Sequence, residues 1–218
     1  MHCHESVSRY GWTWVIRYGS GVTSAALDRA LSEPGEPKLH QLPDRADDLL
    51  RELDAPPRLA AHLRAVHDVA HRLLDWMGEE HPDLVIDRAA VLFGAATHDI
   101  GKTIHTGELS GPGSAHEQVG YRLLLDHRID PAMARFARTH ADWTGPGIVI
   151  EDLVVSLADK VWKAKRVPDL EQMITDHLAT ASRRQPWEAF MAIDDFLTLL
   201  AEDADRRLAL QARHPIIP

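Results

Sequence analysis

The neighbouring pair His98-Asp99 is the strongest chemical signal in this sequence. It lies in the string Thr97-His98-Asp99-Ile100-Gly101-Lys102, directly after the apolar run 89–96. At the end of a helix such a pair offers one imidazole nitrogen and one carboxylate to the same point, and a carboxylate can bridge two divalent ions. The dipeptide alone is a weak signal, because it arises by chance in many proteins.

Other residues with metal-binding side chains fall on apolar faces of separate predicted helices. They are His67, His116, His140 and Asp159. Burying an unpaired carboxylate is costly, so a shared metal explains these residues better than packing does. His71 is the alternative to His67 as the first histidine. His62 is predicted to lie on the surface.

Charged and aromatic residues near these positions suggest how a substrate would be held. Lys102, three residues after Asp99, is a candidate cation against a phosphate oxygen. Trp143 and Lys163 are candidate substrate-binding residues, although a solvated helix face is the favoured alternative for Lys163. Glu117 is a candidate proton donor to the leaving group, with Asp142 as its alternative.

The elements that must position these residues are helical from about residue 44 onward. Spacings of three and four predict helices over 59–77, 87–101 and 151–166, with further helices beginning at Ser114, Asp130, Asp169 and Pro186. The helix at Ser114 carries the S-x-x-E pattern of a capping box. Residues 1–43 are predicted to be a short, irregular extension with a strand at 12–18, and residues 44–218 the main domain. The predicted class is all-α.

The order of the candidate residues resembles that of the HD superfamily of metal-dependent phosphohydrolases. His98-Asp99-Ile100-Gly101-Lys102 matches the HDIGK form of the family's central motif, and Leu157-Ala158-Asp159-Lys160 resembles the element that closes the domain in many bacterial members. The resemblance covers roughly residues 59–166. It implies a helical bundle of about five core helices, here followed by C-terminal helices.

The resemblance also implies a metal centre and a reaction. His67, His98, Asp99 and Asp159 would bind the first ion, and His116 and His140 would complete a second site with Asp99 bridging. The cofactors would be one or two divalent ions, with Mn, Fe, Co, Ni, Mg and Zn all open. From their chemistry and position, Asp99, Lys102 and Glu117 are the candidate catalytic residues.

The substrate implied is a phosphomonoester or phosphodiester, in a nucleotide or a related phosphorylated small molecule. The ligand set is similar to that of bacterial dinucleoside polyphosphate hydrolases and cyclic-nucleotide phosphodiesterases. The GYP signature of the cyclic-dinucleotide enzymes is absent from this sequence. Two alternatives remain open: a di-iron oxygenase with the same ligand pattern, and a non-catalytic nucleotide-binding sensor.

Composition limits the partners and the location. The formal net charge of −9 argues against bulk nucleic-acid binding, because phosphate backbones repel an acidic surface. No apolar run approaches the roughly 18 residues of a membrane span, and the first residues lack a signal-peptide pattern. The single cysteine, Cys3, suits a reducing compartment. The expectation is a cytoplasmic protein without membrane partners, for which a homo-oligomer stays open.

Overall fold

The computed structural model describes residues 24–36 and 38–216, and this part of the chain is all-α, as predicted. Its α-helices are α1 (Ala25–Ser32), α2 (Asp44–Glu52), α3 (Pro57–Glu80), α4 (Arg88–Thr97), α5 (Ala115–Asp126), α6 (Pro131–Ala134), α7 (Phe136–Thr139), α8 (Ile150–Val161), α9 (Pro168–Ser182), α10 (Pro186–Ala201) and α11 (Ala204–Ala212). Two 3₁₀ turns, Ile100–Thr103 and Thr106–Leu109, lie between α4 and α5. None of the described helices is long and apolar enough to cross a membrane.

Helix α3 is the centre of the bundle. It opens with Pro57 at its first position, where a missing N–H costs nothing, and runs for 24 residues. Every residue from Leu59 to Ala70 is buried, because α1, α4, α8 and α11 all pack against this helix. One core cluster joins α3 to α4, α8, α9 and α10, and a second joins it to α1 and α2.

Part of the predicted N-terminal extension is helical and joins the core. Helix α1 buries Leu27, Ala30 and Leu31 against α3. The buried guanidinium of Arg64 on α3 donates to the carbonyls of Ala30 and Glu33, at 2.7 and 2.8 Å. The predicted strand at 12–18 lies outside the described residues, and the domain boundary at residue 43 stays a prediction.

Helix α11 is attached to the end of α8 by one buried cation. Arg207 is fully buried, and its guanidinium donates to the carbonyl of Trp162 at 2.8 Å and to that of Leu200 at 2.6 Å. Trp162 directly follows the last residue of α8 and is its C-cap. The C-terminal helices therefore pack directly beside the segment that carries Asp159.

The turn after α4 touches α5 backbone to backbone at Gly101. A Cβ added at Gly101 would collide with the carbonyl of His116 and lie 2.7 Å from the backbone nitrogen of Gly120. Gly120 has the matching requirement, since its own added Cβ would lie 3.0 Å from the nitrogen of Gly101. These two glycines let the His98-Asp99 segment and the His116 segment approach each other.

We expect Gly101→Ala to lower the free energy of unfolding by more than ~3 kcal/mol, a fall in Tm on the order of 10 °C, because backbone atoms of α5 must move. Gly78→Ala is the matched control, since nothing lies within 4 Å of an added Cβ there and the residue is helical. That control should gain about 0.5–1 kcal/mol. Thermal and urea unfolding measure both, and equal behaviour of the two variants would contradict the close approach.

Candidate metal centre

The centre of the site is the Asp99 carboxylate, whose two oxygens face different histidines. Asp99 follows α4 and is 3% exposed, so it must be paired within the protein. Its Oδ2 atom lies 3.2 Å from His62 Nε2 and 3.7 Å from His98 Nε2. Its Oδ1 atom lies 3.0 Å from His116 Nε2 and 3.5 Å from His140 Nε2. One carboxylate thus stands between two pairs of imidazoles.

Asp159 completes the first of two ligand groups. From α8, its Oδ1 atom lies 3.5 Å from His98 Nε2 and 3.7 Å from His62 Nε2. We define the first ligand group as His62, His98, Asp99 and Asp159. The second ligand group is Asp99, His116 and His140, whose candidate ligand atoms lie within 4.8 Å of one another.

Three of the histidines are held in the same way, with Nδ1 on an acceptor and Nε2 toward the carboxylates. His98 donates from Nδ1 to the carbonyl of Ala95 at 3.0 Å, and His140 donates to that of Phe136 at 3.2 Å. His116 donates from Nδ1 to the Glu108 carboxylate at 2.5 Å. A proton on Nδ1 leaves the Nε2 lone pair free for a metal, which is the usual arrangement of histidine ligands.

The geometry of the cluster fits divalent ions better than it fits internal hydrogen bonding. His62 Nε2, His98 Nε2, His116 Nε2 and Asp99 Oδ1 are buried and make no hydrogen bond. His116 Nε2 and Asp99 Oδ1 are nevertheless only 3.0 Å apart. Two ligands about 2.1 Å from one ion and at right angles to each other are separated by roughly 3 Å. The donor set, imidazole and carboxylate, suits borderline and hard divalent ions.

Two lysines neutralise the carboxylates. Lys102 Nζ lies 2.5 Å from Asp99 Oδ2, and Lys160 Nζ lies 2.7 Å from Asp159 Oδ2. Burial would raise the pKa of Asp99, but His98, His116 and His62 hold that pKa well below its usual range. Burial opposes a similar fall for Asp159, whose pKa is lowered by His98 and Lys160. Both carboxylates are therefore charged and available as ligands.

Burial keeps two of the histidines in the neutral form that binds metals. It lowers the pKa of His62, and burial together with His98 lowers the pKa of His140 to about 4. His116 differs, because the neighbouring Asp99 and Glu108 raise its pKa against the effect of burial.

The prediction for His67 is not supported by the geometry, and His62 stands in its place. The two residues are five apart on α3, so their side chains leave the helix about 140° apart. The His67 ring is buried 6.3 Å from the ring of His71, with His40 and Arg64 close by, and burial lowers its pKa to about 3. His62 was expected on the surface but is 7% exposed. The apolar-face argument could not separate them, because α3 is buried on every side here.

A cavity of about 440 Å³ lies beside the ligand groups, and most of the residues predicted to bind the substrate line it. Lys102, Glu117 and Lys163 line it. Burial raises the pKa of Glu117, which is half-buried. Trp143 does not line this cavity; it packs against the main core cluster, and Lys160 Nζ lies 5.7 Å from its ring centre.

Several residues that line the cavity were not indicated by the sequence, and three of them bear on the site. Leu208 and Gln211 come from α11, and Glu108 comes from the 3₁₀ turn before α5. Glu108 also replaces Ser114 as the cap of α5, since its carboxylate accepts from the backbone nitrogens of Ala115 and His116 while the Ser114 side chain makes no capping bond. The S-x-x-E pattern pointed to the right helix start but to the wrong capping residue.

Comparison with protein-family models gives a match over residues 59–162, to the family described as HD domain. The matched segment runs from α3 to the end of α8 and contains every residue of both ligand groups. No curated protein and no solved structure matched the chain.

We expect His62→Gln to weaken metal binding by more than about 100-fold, because a ligand itself is lost. Loss of only the hydrogen-bond partner of a ligand typically weakens binding by roughly 10–100-fold. His67→Gln, on the same helix and equally buried, is the matched control and should keep wild-type affinity. Calorimetric titration with Mn²⁺ measures both. Weaker binding in the His67 variant alone would return His67 to the site and remove His62.

Proposed function

We propose that this chain, whose residues 59–162 match the HD domain family, is a metal-dependent phosphohydrolase acting on a phosphomonoester or phosphodiester of a nucleotide or related small molecule. The observation that carries the proposal is the division of the Asp99 carboxylate between two histidine pairs. This arrangement suits a bridging ligand between two divalent ions. Hydrolysis of phosphate esters is a reaction for which such paired ions are used.

Ions held by the two ligand groups would activate water and neutralise phosphate oxygens. The chain supplies further positive charge at the same place through Lys102 and Lys160, which both line the cavity beside the carboxylates. A lysine ammonium is a compact cation with three donors, suited to holding one phosphate oxygen. These two lysines would therefore orient the scissile phosphate against the cluster.

Glu117 is the better placed of the two candidate proton donors. It lines the cavity one residue after His116, whereas Asp142 is exposed and does not line the cavity. A general acid must reach the leaving oxygen in the bound substrate. We therefore assign protonation of the leaving group to Glu117.

The residues that line the cavity outside the two ligand groups support a nucleotide as the substrate. Leu208 and Gln211 on α11 contribute an apolar surface and an amide, and Lys163 adds a cation. An amide can pair with the donor and acceptor edge of a nucleobase while the leucine covers its face. A cavity of about 440 Å³ lies within the range of small-ligand sites.

The proposal is tested by screening the purified, Mn²⁺-loaded chain for phosphate or nucleotide release. The substrates are p-nitrophenyl phosphate, a cyclic nucleotide and a dinucleoside polyphosphate. Asp99→Asn should reduce turnover to below about one-hundredth and also lower metal content, because an amide cannot bridge two ions as a carboxylate does. Asp126→Asn, an exposed acid on α5, is the control. Oxygen consumption without phosphate release would favour the oxygenase alternative, and nucleotide binding without turnover the sensor.

Glu117→Gln should lower kcat by ~10²–10⁴-fold on substrates with a poor leaving group, such as an alkyl phosphate, because the amide cannot donate the required proton. The loss should be much smaller with p-nitrophenolate as the leaving group, which departs without protonation. Asp142→Asn is the matched control and should behave as wild type on both. Equal losses on both leaving groups would remove the acid role from Glu117.

A further inference from the structure

Glu108 is a carboxylate from a loop turn that holds both the start of a helix and a metal-ligand candidate. Its Oε2 atom accepts from His116 Nδ1 at 2.5 Å and from the His116 backbone nitrogen at 3.2 Å. Its Oε1 atom accepts from the backbone nitrogen of Ala115 at 3.2 Å. Three donors, all at the first turn of α5, thus converge on one side chain that is only 14% exposed.

The way His116 is oriented sets it apart from His98 and His140. Those two histidines donate from Nδ1 to a carbonyl three or four residues earlier in the chain, so their orientation follows from the local helical backbone. His116 instead depends on a side chain eight residues earlier, in the turn Thr106–Leu109. The second ligand group is therefore the one whose geometry depends on the loop.

Gly113 provides independent support, because it leaves the space that the Glu108 side chain occupies. A Cβ added at Gly113 would collide with the Glu108 carboxylate and lie 2.7 Å from its Cγ. Gly107, in the same loop, has nothing within 4 Å of an added Cβ. The absence of a side chain at Gly113 therefore allows the Glu108 carboxylate to occupy this position.

We propose that Glu108 is a positioning residue for the second ligand group, which aims His116 Nε2 at the ion shared with Asp99 and so makes binding of the second ion depend on the conformation of loop 103–113. The Nδ1–H···Oε2 bond fixes the imidazole with its Nε2 atom 3.0 Å from Asp99 Oδ1. A carboxylate partner also makes the imidazole a stronger ligand. This inference rests on the proposed metal-dependent function.

The experiment compares Glu108→Gln, Gly113→Ala and Gly107→Ala in the full chain by calorimetric titration with Mn²⁺, alongside elemental analysis and Tm. Glutamine keeps an oxygen that can cap α5, but it cannot supply a second charged oxygen to His116 Nδ1. We expect Glu108→Gln and Gly113→Ala to lower the affinity for the second ion by about 10–100-fold, while the affinity for the first ion stays at the wild-type value. Gly107→Ala should match wild type.

The outcomes separate this inference from the proposed function. A wild-type chain that binds two ions, together with a folded Glu108→Gln variant that binds both with unchanged affinity, would overturn the role of Glu108 and leave the metal centre intact. A lowered Tm with unchanged metal affinities would likewise overturn it and reduce Glu108 to a helix cap. A wild-type chain that binds no Mn²⁺ would overturn the metal centre itself.

Discussion

A buried carboxylate needs positive charge or polar partners around it, and in this protein Asp99 imposes that constraint on the whole bundle. Its partners come from α3, α5, the segment after α7 and the lysine of its own turn. These elements are separated along the chain. The packing of α3 against α4 and α8, and of the Gly101 turn against α5, is what brings the partners together. Loss of the carboxylate's surroundings would leave a charge in the interior, at a cost of several kcal/mol.

Much of the bundle could be predicted because its helices carry local signals. Asp87 caps α4 as its position suggests, and Asp130-Pro131 opens α6 with the aspartate accepting from the nitrogen of Ala132. His98, Asp99, His116, His140 and Asp159 lie close together in the structure, while their binding of metal stays a prediction. These residues were identifiable because metal-binding side chains on apolar helix faces are costly unless they share a partner.

The remaining parts of the site depend on information that sequence spacing does not contain. His62 and His67 both lie on a helix buried all round, so only the tertiary position of α3 decides which one faces Asp99. Glu108 takes the capping role that the sequence pattern assigns to Ser114, and this depends on how the loop before α5 folds. Leu208 and Gln211 are more than forty residues from Asp159 in the chain and reach the cavity only through the packing of α11.

The buried Arg207 has a consequence for how the chain would unfold. Its guanidinium on α11 donates to the carbonyl of Trp162, just after α8, and to that of Leu200 in α10. One buried cation thus connects the C-terminal helices to the segment 59–162. Detaching α11 would break the hydrogen bond between Arg207 and the Trp162 carbonyl. It would also expose the surface of α3 against which α11 packs. The family segment and the helices after it should therefore melt as one cooperative unit, and hydrogen exchange in α11 should be as slow as in α8.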